Sequence, residues 1–294
     1  ADVPLGAFLS GGIDSSVMLA MMKRLNCEPV HAFTVGFAGG HTHDERDQAR
    51  AVAQAVGTKH TEVEFTEQDF WNLLPQVAAA MDDPVADYAI LPTYKLAQTA
   101  KAAGLKVILT GEGGDELFAG YGRYRRAARP WWLGGRPMRH RGIFDGLGVL
   151  HDEQAGAVWR DGIEAAEKAA VLPGRTRLQV AQATDCVDWL PHDLLTKLDR
   201  CLMAFGVEGR VPFLDREMAE FAFALPDDLK VKQRIGKWAL RKWLERTLPE
   251  SMPFARKRGF TVPVGDWIAK KAKDTGPLVA KQSGIAELCN SDAV

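Results

Sequence analysis

Charge of one sign is what this 294-residue chain lacks most clearly: 37 Lys and Arg stand against 38 Asp and Glu, a formal net charge of −1. A balanced chain exerts no global pull on nucleic acid or on anionic membrane, so any anion it binds must be held locally. Cysteine is scarce. Cys27, Cys186, Cys201 and Cys289 form no CxxC pair and stand near no histidine at zinc-finger spacing, which argues against a zinc module and leaves reduced thiols in a cytoplasmic setting as the expectation. No apolar stretch reaches membrane-spanning length, and no basic segment leads into an apolar one as in a secretory signal. Internal repeats, heptads and low-complexity tracts are also missing. Both ends look cut, since the chain opens at Ala1 without an initiator Met and closes on Asn290-Ser291-Asp292-Ala293-Val294, a cap-like run with no helix after it; a longer parent polypeptide is the expectation.

What is present is enough apolar material, 46% of residues, to bury a sizeable core. Short β-rich runs at Leu5–Leu9, Val30–Gly36, Thr61–Phe65 and Lys106–Thr110 alternate with helical periodicity at Val17–Leu25 and near 44–57, 67–81 and 92–103. That alternation predicts an α/β architecture, a parallel sheet with helices on both faces, over residues 1–126. Residues 127–180 carry Trp131-Trp132, Gly134-Gly135 and scattered arginines with weak periodicity and read as a variable surface excursion; 181–294 reads as mainly helical.

Glycine marks two loops, each at the end of an apolar strand. The first is Leu9-Ser10-Gly11-Gly12-Ile13-Asp14-Ser15-Ser16. Gly11 and Gly12 allow the backbone to approach an anion, Ser10, Ser15 and Ser16 supply hydroxyls, and the following helix aims its free N–H groups at the same point. Asp14 would repel phosphates unless a cation intervened, which points to Mg²⁺. No Lys-Ser or Lys-Thr follows the glycines and no GxGxxG is present, so Walker A and dinucleotide fingerprints drop out. The second loop, Thr110-Gly111-Glu112-Gly113-Gly114-Asp115-Glu116, interleaves glycines with carboxylates, an arrangement suited to a metal ion and a reacting amine. In a parallel sheet both loops would face one crevice at the carboxyl ends of the strands.

Ser10–Ser16 resembles the SGGxDS pyrophosphate loop of N-type ATP pyrophosphatases. Together with GEGGDELFAGY at 111–121, GVEGRVPFLD at 206–215 and RKRGF at 256–260, the chain is similar to the ATP-dependent synthetase domain of asparagine synthetase. The resemblance implies an adenine nucleotide alpha hydrolase-like fold with a twisted, parallel five-stranded sheet. It implies that ATP converts the side-chain carboxylate of aspartate to an acyl-adenylate with loss of pyrophosphate, and that ammonia then displaces AMP. By the same resemblance Leu9, Val35, Thr110 and Gly111 line the adenine and ribose site, Ser10, Gly11, Gly12, Ser15 and Ser16 hold pyrophosphate, and Asp14 and Asp115 place Mg²⁺. Glu112 would serve the intermediate and the attacking amine, and Lys257 would neutralise charge on the phosphates and the tetrahedral centre.

Glutamine-using members carry an N-terminal nucleophile domain absent from these residues, which the resemblance places upstream as the source of ammonia. Cyclising relatives have a tyrosine where Glu112 stands, so the glutamate favours intermolecular amination. An amidotransferase acting on another carboxylate, such as a cell-surface sugar acid, stays open, as does a tRNA-modifying adenylating enzyme; for the latter, Arg123, Arg125, Arg126 and Arg129 with Tyr121 and Tyr124 would form the RNA patch. A solvated helix face is the plainer reading of those arginines, and neither nucleic acid nor membrane is expected as a partner. His41 and His43 with Asp44 and Glu45 lack a partner cluster for a metal. Asp82-Asp83-Pro84 is expected to line the aspartate side of the crevice. Self-association into a homodimer is left open.

Overall fold

A computed structural model describes residues 2–25, 30–37, 45–83, 85, 87–136, 138, 148–151, 155–255, 263–290 and 292–293, with the backbone alone for 155–160. The described chain divides into two units, residues 1–121 with 189–262 and residues 122–188 with 263–294. These boundaries differ from the sequence division at 126 and 180, because the strand Glu208–Arg210 returns the chain to the sheet late in the sequence.

The first unit is built on five parallel strands, β1 (Leu5–Phe8), β2 (His31–Phe37), β3 (Lys59–Phe65), β4 (Val107–Leu109) and β5 (Glu208–Arg210), in the order β3-β2-β1-β4-β5. Four match the sequence-predicted strands to within two residues. The order reverses at β1, whose neighbours are β2 on one side and β4 on the other, so the crevice at this switch point opens at the carboxyl ends of β1 and β4. Each crossover carries helices: α1 (Ile13–Leu25), α2 (Arg46–Val56), then α3 (Glu67–Ala80) with α4 (Ile90–Ala102). Right-handed crossovers put α1 and α2 on one face and α3 and α4 on the other, and the packing of α1 with α2 and of α3 with α4 agrees.

Local sequence explains these boundaries. Thr66 and Asp69 form a reciprocal capping box at the start of α3, with the Asp69 amide donating to Thr66 Oγ1 at 3.1 Å and the Thr66 amide donating to the Asp69 carboxylate at 2.8 Å. Gly57, at φ +71°, ends α2 in the left-handed conformation that closes helices. The core sits where the sheet meets the helices, with Ala7, Leu9, Leu19, Ala32, Phe33, Val52, Phe65, Ala97 and Ile108 all buried.

β5 was invisible to alternation, being three residues long and polar. It is fixed by pairing: the Glu208 amide donates to Lys106 O at 2.8 Å and the Thr110 amide to Arg210 O at 3.0 Å. The segment after it packs behind the second glycine loop. A Cβ on Gly113, at φ +89°, would lie 2.3 Å from Leu214 Cδ2, and Phe213 meets Phe118 edge to face at 6.0 Å.

The second unit holds helices at Ala155–Ala170 and Arg177–Val187, the latter opened by a Thr176–Gln179 capping box. Within it Arg123 is held against the buried carboxylate of Asp185 at 2.7 Å, which explains one arginine of the suspected patch as an internal contact. Tyr124 is fully buried, and Trp131, Trp132 and Leu133 are exposed.

Candidate active site

The two glycine loops meet in one cavity of about 940 Å³ in the first unit, within the size range of small-molecule sites. Its wall includes Leu9, Ser10, Gly11, Gly12, Asp14, Ser15, Val35, Thr110, Gly111, Glu112 and Asp115, all singled out from sequence. Ser16 is the exception among the loop residues: it is fully buried and is not part of the wall. It lies one position beyond Ser15 on α1, where the helical twist turns its side chain away. Lys257 and the rest of the basic run 256–260 lie outside the described residues, as do Cys27, His41, His43, Asp44 and Pro84.

The first loop is tied by its own serines. Ser10 Oγ and Ser15 Oγ stand 3.1 Å apart, the Gly12 amide donates to Ser10 Oγ at 3.2 Å, and Ser15 Oγ donates to Gly12 O at 3.2 Å. Gly11 takes φ +73°, and a Cβ there would sit 2.9 Å from Ala49 N, so both turn and packing demand glycine. Next to it, the Thr34 hydroxyl donates to Leu9 O and therefore accepts from His60 Nε2, 2.8 Å away. Burial holds the His60 imidazole below its ordinary pKa of 6.5, against the pull of Glu62.

Asp14 and Asp115 converge, and a residue that sequence reasoning missed stands between them. Lys237, 4% exposed, hydrogen-bonds Asp14 Oδ2 and lies 2.8 Å from Asp115 Oδ1. Burial alone would lower its pKa, but Asp115 and Asp14 outweigh this and hold the ammonium above the usual lysine value. Lys237 arrives on a small hairpin, Val231–Lys232 with Ile235–Gly236, whose fit depends on bare backbone. A Cβ on Gly236 would meet Ala119 O at 2.2 Å, and one on Gly120 would fall 1.8 Å from Asp115 Oδ1 and 2.3 Å from Lys237 Cε. Ala119 and Lys237 are themselves held at φ +56° and +57°, a sparsely populated region that marks strain, here beside a cavity.

The same carboxylates can be tested for a divalent cation. Gly111 and Gly114 leave room for Asp14 to turn toward Asp115: a Cβ on Gly114 would lie 2.6 Å from Asp14 Cγ, and one on Gly111 2.8 Å from Asp14 Cβ. Among the described residues no cluster of three or more His, Cys, Asp or Glu is gathered for a metal. Two hard oxygen donors fit an ion such as Mg²⁺ that takes its remaining ligands from water and substrate phosphates, and do not fit a closed protein cage.

The wall also carries Tyr88, Ala89, Pro92, Thr93, Leu194 and Lys197. Asp82 and Asp83 are not among them; Asp82 instead pairs with Arg200 at 2.5 Å. The acidic turn thus precedes the lining segment. Glu45, Asp47, Glu116 (1% exposed) and Arg241 are further charged residues of the lining. Cys201, on the helix Thr196–Met203, is buried, its Sγ donates to Ile90 O at 3.4 Å, and burial pushes its pKa up to about 12, which argues against a thiolate there.

The asparagine synthase family model matches residues 1–284. The chain belongs to the asparagine synthase family. It is 31% identical to asparagine synthetase (glutamine-hydrolyzing) 1 of Bacillus subtilis, covering all of this chain and 52% of that protein. A putative asparagine synthetase of Mycobacterium tuberculosis is 34% identical over 91% of this chain and 46% of its own length. Asparagine synthetase B of Escherichia coli is 28% identical over 91% of this chain and 43% of its own length. The chain therefore spans about half the length of the curated relatives it matches. Among solved structures, a U34-tRNA thiolase from Methanococcus maripaludis is matched at 15% identity over 78% of this chain and 76% of that one, with a TM-score of 0.30, too low to bear on function. Among the described residues no helix is long and apolar enough to cross a membrane.

Proposed function

We propose that this chain catalyses the ATP-dependent amidation of aspartate to asparagine through β-aspartyl-AMP, releasing AMP and pyrophosphate. The observation that carries the reading is the convergence of the Ser10–Ser15 loop, Asp14, Asp115 and Glu112 on one cavity. Leu9, Val35, Thr110 and Gly111, all in the wall, are assigned to the nucleoside as the family resemblance assigns them. Ser10, Gly11, Gly12 and Ser15 form the cradle for the phosphates at the N-terminus of α1. Asp14 and Asp115 would hold Mg²⁺, which supplies charge neutralisation for the leaving pyrophosphate. The carboxylates' present cation is the Lys237 ammonium; once they share a divalent ion, that ammonium is free to turn to phosphate oxygens.

The chemistry requires a carboxylate oxygen of aspartate to attack the α-phosphorus while pyrophosphate leaves. Ammonia then attacks the acyl carbon, and AMP leaves with one of the original carboxylate oxygens. Glu112 stands in the wall where it can accept the proton the amine must lose. Lys257 is assigned the role the family resemblance gives it, stabilising charge at the tetrahedral centre. We assign the ammonia to glutamine hydrolysis, as the relatives' names imply, and the reaction to the cytoplasm.

Aspartate labelled with ¹⁸O in its β-carboxylate tests the route. With ATP, Mg²⁺ and ammonium, one labelled oxygen is expected in AMP and none in pyrophosphate. Formation of ADP with label in inorganic phosphate would replace the adenylate by an acyl phosphate and overturn the proposal.

A further inference from the structure

Lys197 lies in the cavity wall, 6% exposed, on the helix Thr196–Met203. Its Nζ donates to Asp87 Oδ2 at 2.6 Å. Asp87 is not itself part of the wall; its other oxygen accepts from the Ala89 amide at 2.8 Å, at the entry to α4. One oxygen of the carboxylate is thus fixed by a backbone donor while the other holds the ammonium. An ammonium has three N–H donors, and among the described residues Asp87 is its one hydrogen-bond acceptor. Burial alone would lower the pKa of Lys197, yet Asp87, Glu112 and Asp193 together keep it above the usual lysine value. The lysine is therefore charged, directed into the cavity, and within the field of Glu112.

A buried cation with donors left over is costly to maintain unless an anion completes its shell. The phosphates already have the first loop and the Asp14–Lys237–Asp115 group. We infer that Lys197 recognises a carboxylate of the acceptor substrate, a second one distinct from the carboxylate that is adenylated, and that Asp87 positions it. For aspartate this second group is the α-carboxylate. The assignment rests on the amidation reading for its location and extends it by stating what the acceptor must carry: two carboxylates, spaced so that one meets Lys197 while the other reaches the α-phosphate. A monocarboxylate lacking that second anion would leave Lys197 without its partner.

Charge-assisted pairs in desolvated sites discriminate strongly. The test measures pyrophosphate release by the protein with Mg·ATP and ammonium against three acceptors: aspartate, aspartate with its α-carboxyl amidated, and other dicarboxylates of similar length. The wild-type protein is expected to prefer aspartate over the α-amide by on the order of 100-fold in kcat/KM. Lys197→Met should raise the KM for aspartate by a similar factor, leave the KM for ATP within about twofold, and abolish the preference for aspartate over the α-amide. Lys197→Arg should recover part of the preference, and Asp87→Asn should weaken it by a smaller factor through loss of positioning. An unchanged KM for ATP also reports that the Met variant has folded.

A Met variant that still prefers aspartate over its α-amide to the wild-type extent overturns the inference. So does a wild-type protein that turns over a monocarboxylate as well as any dicarboxylate. If the wild-type protein ignores aspartate but adenylates another dicarboxylate, and Lys197→Met raises the KM for that compound alone, the aspartate reading fails while the role of Lys197 stands.

Discussion

Two buried lysines face the same cavity, and the way each is held separates the two ends of the site. Lys237 sits between two carboxylates, Asp14 and Asp115. Lys197 has one hydrogen-bonded carboxylate, Asp87, which is not part of the wall. The first arrangement gathers two carboxylates around one ammonium and fits a place for a divalent cation. The second presents positive charge to the cavity and fits a place for an anion. Glycines make the first possible, because Gly111, Gly114, Gly120 and Gly236 bring backbone and carboxylates within distances no Cβ would permit. The second needs no such concession, only a helix that carries Lys197 past the entry to α4. One end therefore resembles a strained, cation-exchanging centre, and the other a preformed recognition point.

The sharpest way to break this contrast is to remove Asp14. Asp14→Ala is expected to lower pyrophosphate release by roughly a thousandfold. Asp115 still partners Lys237 in that variant, so the fold should survive, with circular dichroism unchanged at room temperature. Activity retained at saturating Mg²⁺ would show that the carboxylates do not serve the phosphates.

Removing the lysine asks a different question of the same group. Lys237→Met removes the ammonium that Asp14 and Asp115 share, and stripping one partner from a buried ion pair costs about 3–5 kcal/mol. If this end is a cation place, Mg²⁺ should restore much of that loss by binding the folded state, about 2.7 kcal/mol at a hundredfold excess over its Kd. The wild-type protein, whose own ammonium competes, should gain less. Thermal melts of both proteins with and without Mg²⁺ settle the matter; equal stabilisation of the two would mean that the lysine and the ion do not share a place.

These groups were legible in the sequence to different depths. The strands β1 to β4 and the two loops could be read because alternation, apolar runs and glycine punctuation are local signals, and the sheet order then forces the loops together. Asp14 could be singled out from the chemistry of an acid among glycines, whereas Glu112 and Asp115 took their separate roles from the family resemblance. Lys237 did not: it follows a short polar hairpin 223 residues from Asp14, and nothing in its spacing says where that hairpin docks. The signals available were Gly120 and Gly236, small residues flanking positions that turned out to be crowded. Lys197 lies in a polar-apolar helix pattern where a lysine ordinarily reads as solvated. Ser16 was assigned by motif, and helix geometry turns it away from the wall. The acidic turn at Asp82-Asp83 was taken for the lining, whereas Tyr88 and Ala89, slightly further along, line the cavity.

A smaller perturbation separates the strained end from the preformed one without touching a charge. Gly120→Ala would push a methyl group against Asp115 Oδ1 and Lys237 Cε. Overpacking of this kind costs about 1–3 kcal/mol, and it should displace Lys237 and Asp115 while leaving Lys197 in place. Measured as steady-state kinetics, the variant should lose kcat and ATP affinity and keep its preference for aspartate over the α-amide. A variant that loses both together would tie the two ends into one mechanical unit.

The smallest effect expected concerns pH, and it follows from both lysines being held above their ordinary value. Neither changes charge near neutrality; among the described residues, His31 and His60, on β2 and β3 and outside the cavity wall, are the histidines that burial shifts. Burial lowers the pKa of each below 6.5, with Lys59 adding to the effect at His31. A histidine whose folded pKa is depressed contributes stability above its unfolded pKa and loses it as the pH falls through the folded value. Unfolding midpoints should therefore be flat above about pH 7 and decline below 6.5. Because His60 reaches Leu9 O through Thr34, His60→Gln should flatten that decline and leave the acceptor preference unchanged. An acid decline of the same size in His60→Gln would assign it to His31 or to carboxylates elsewhere, and would leave the wall beside Leu9 with no part in the pH response.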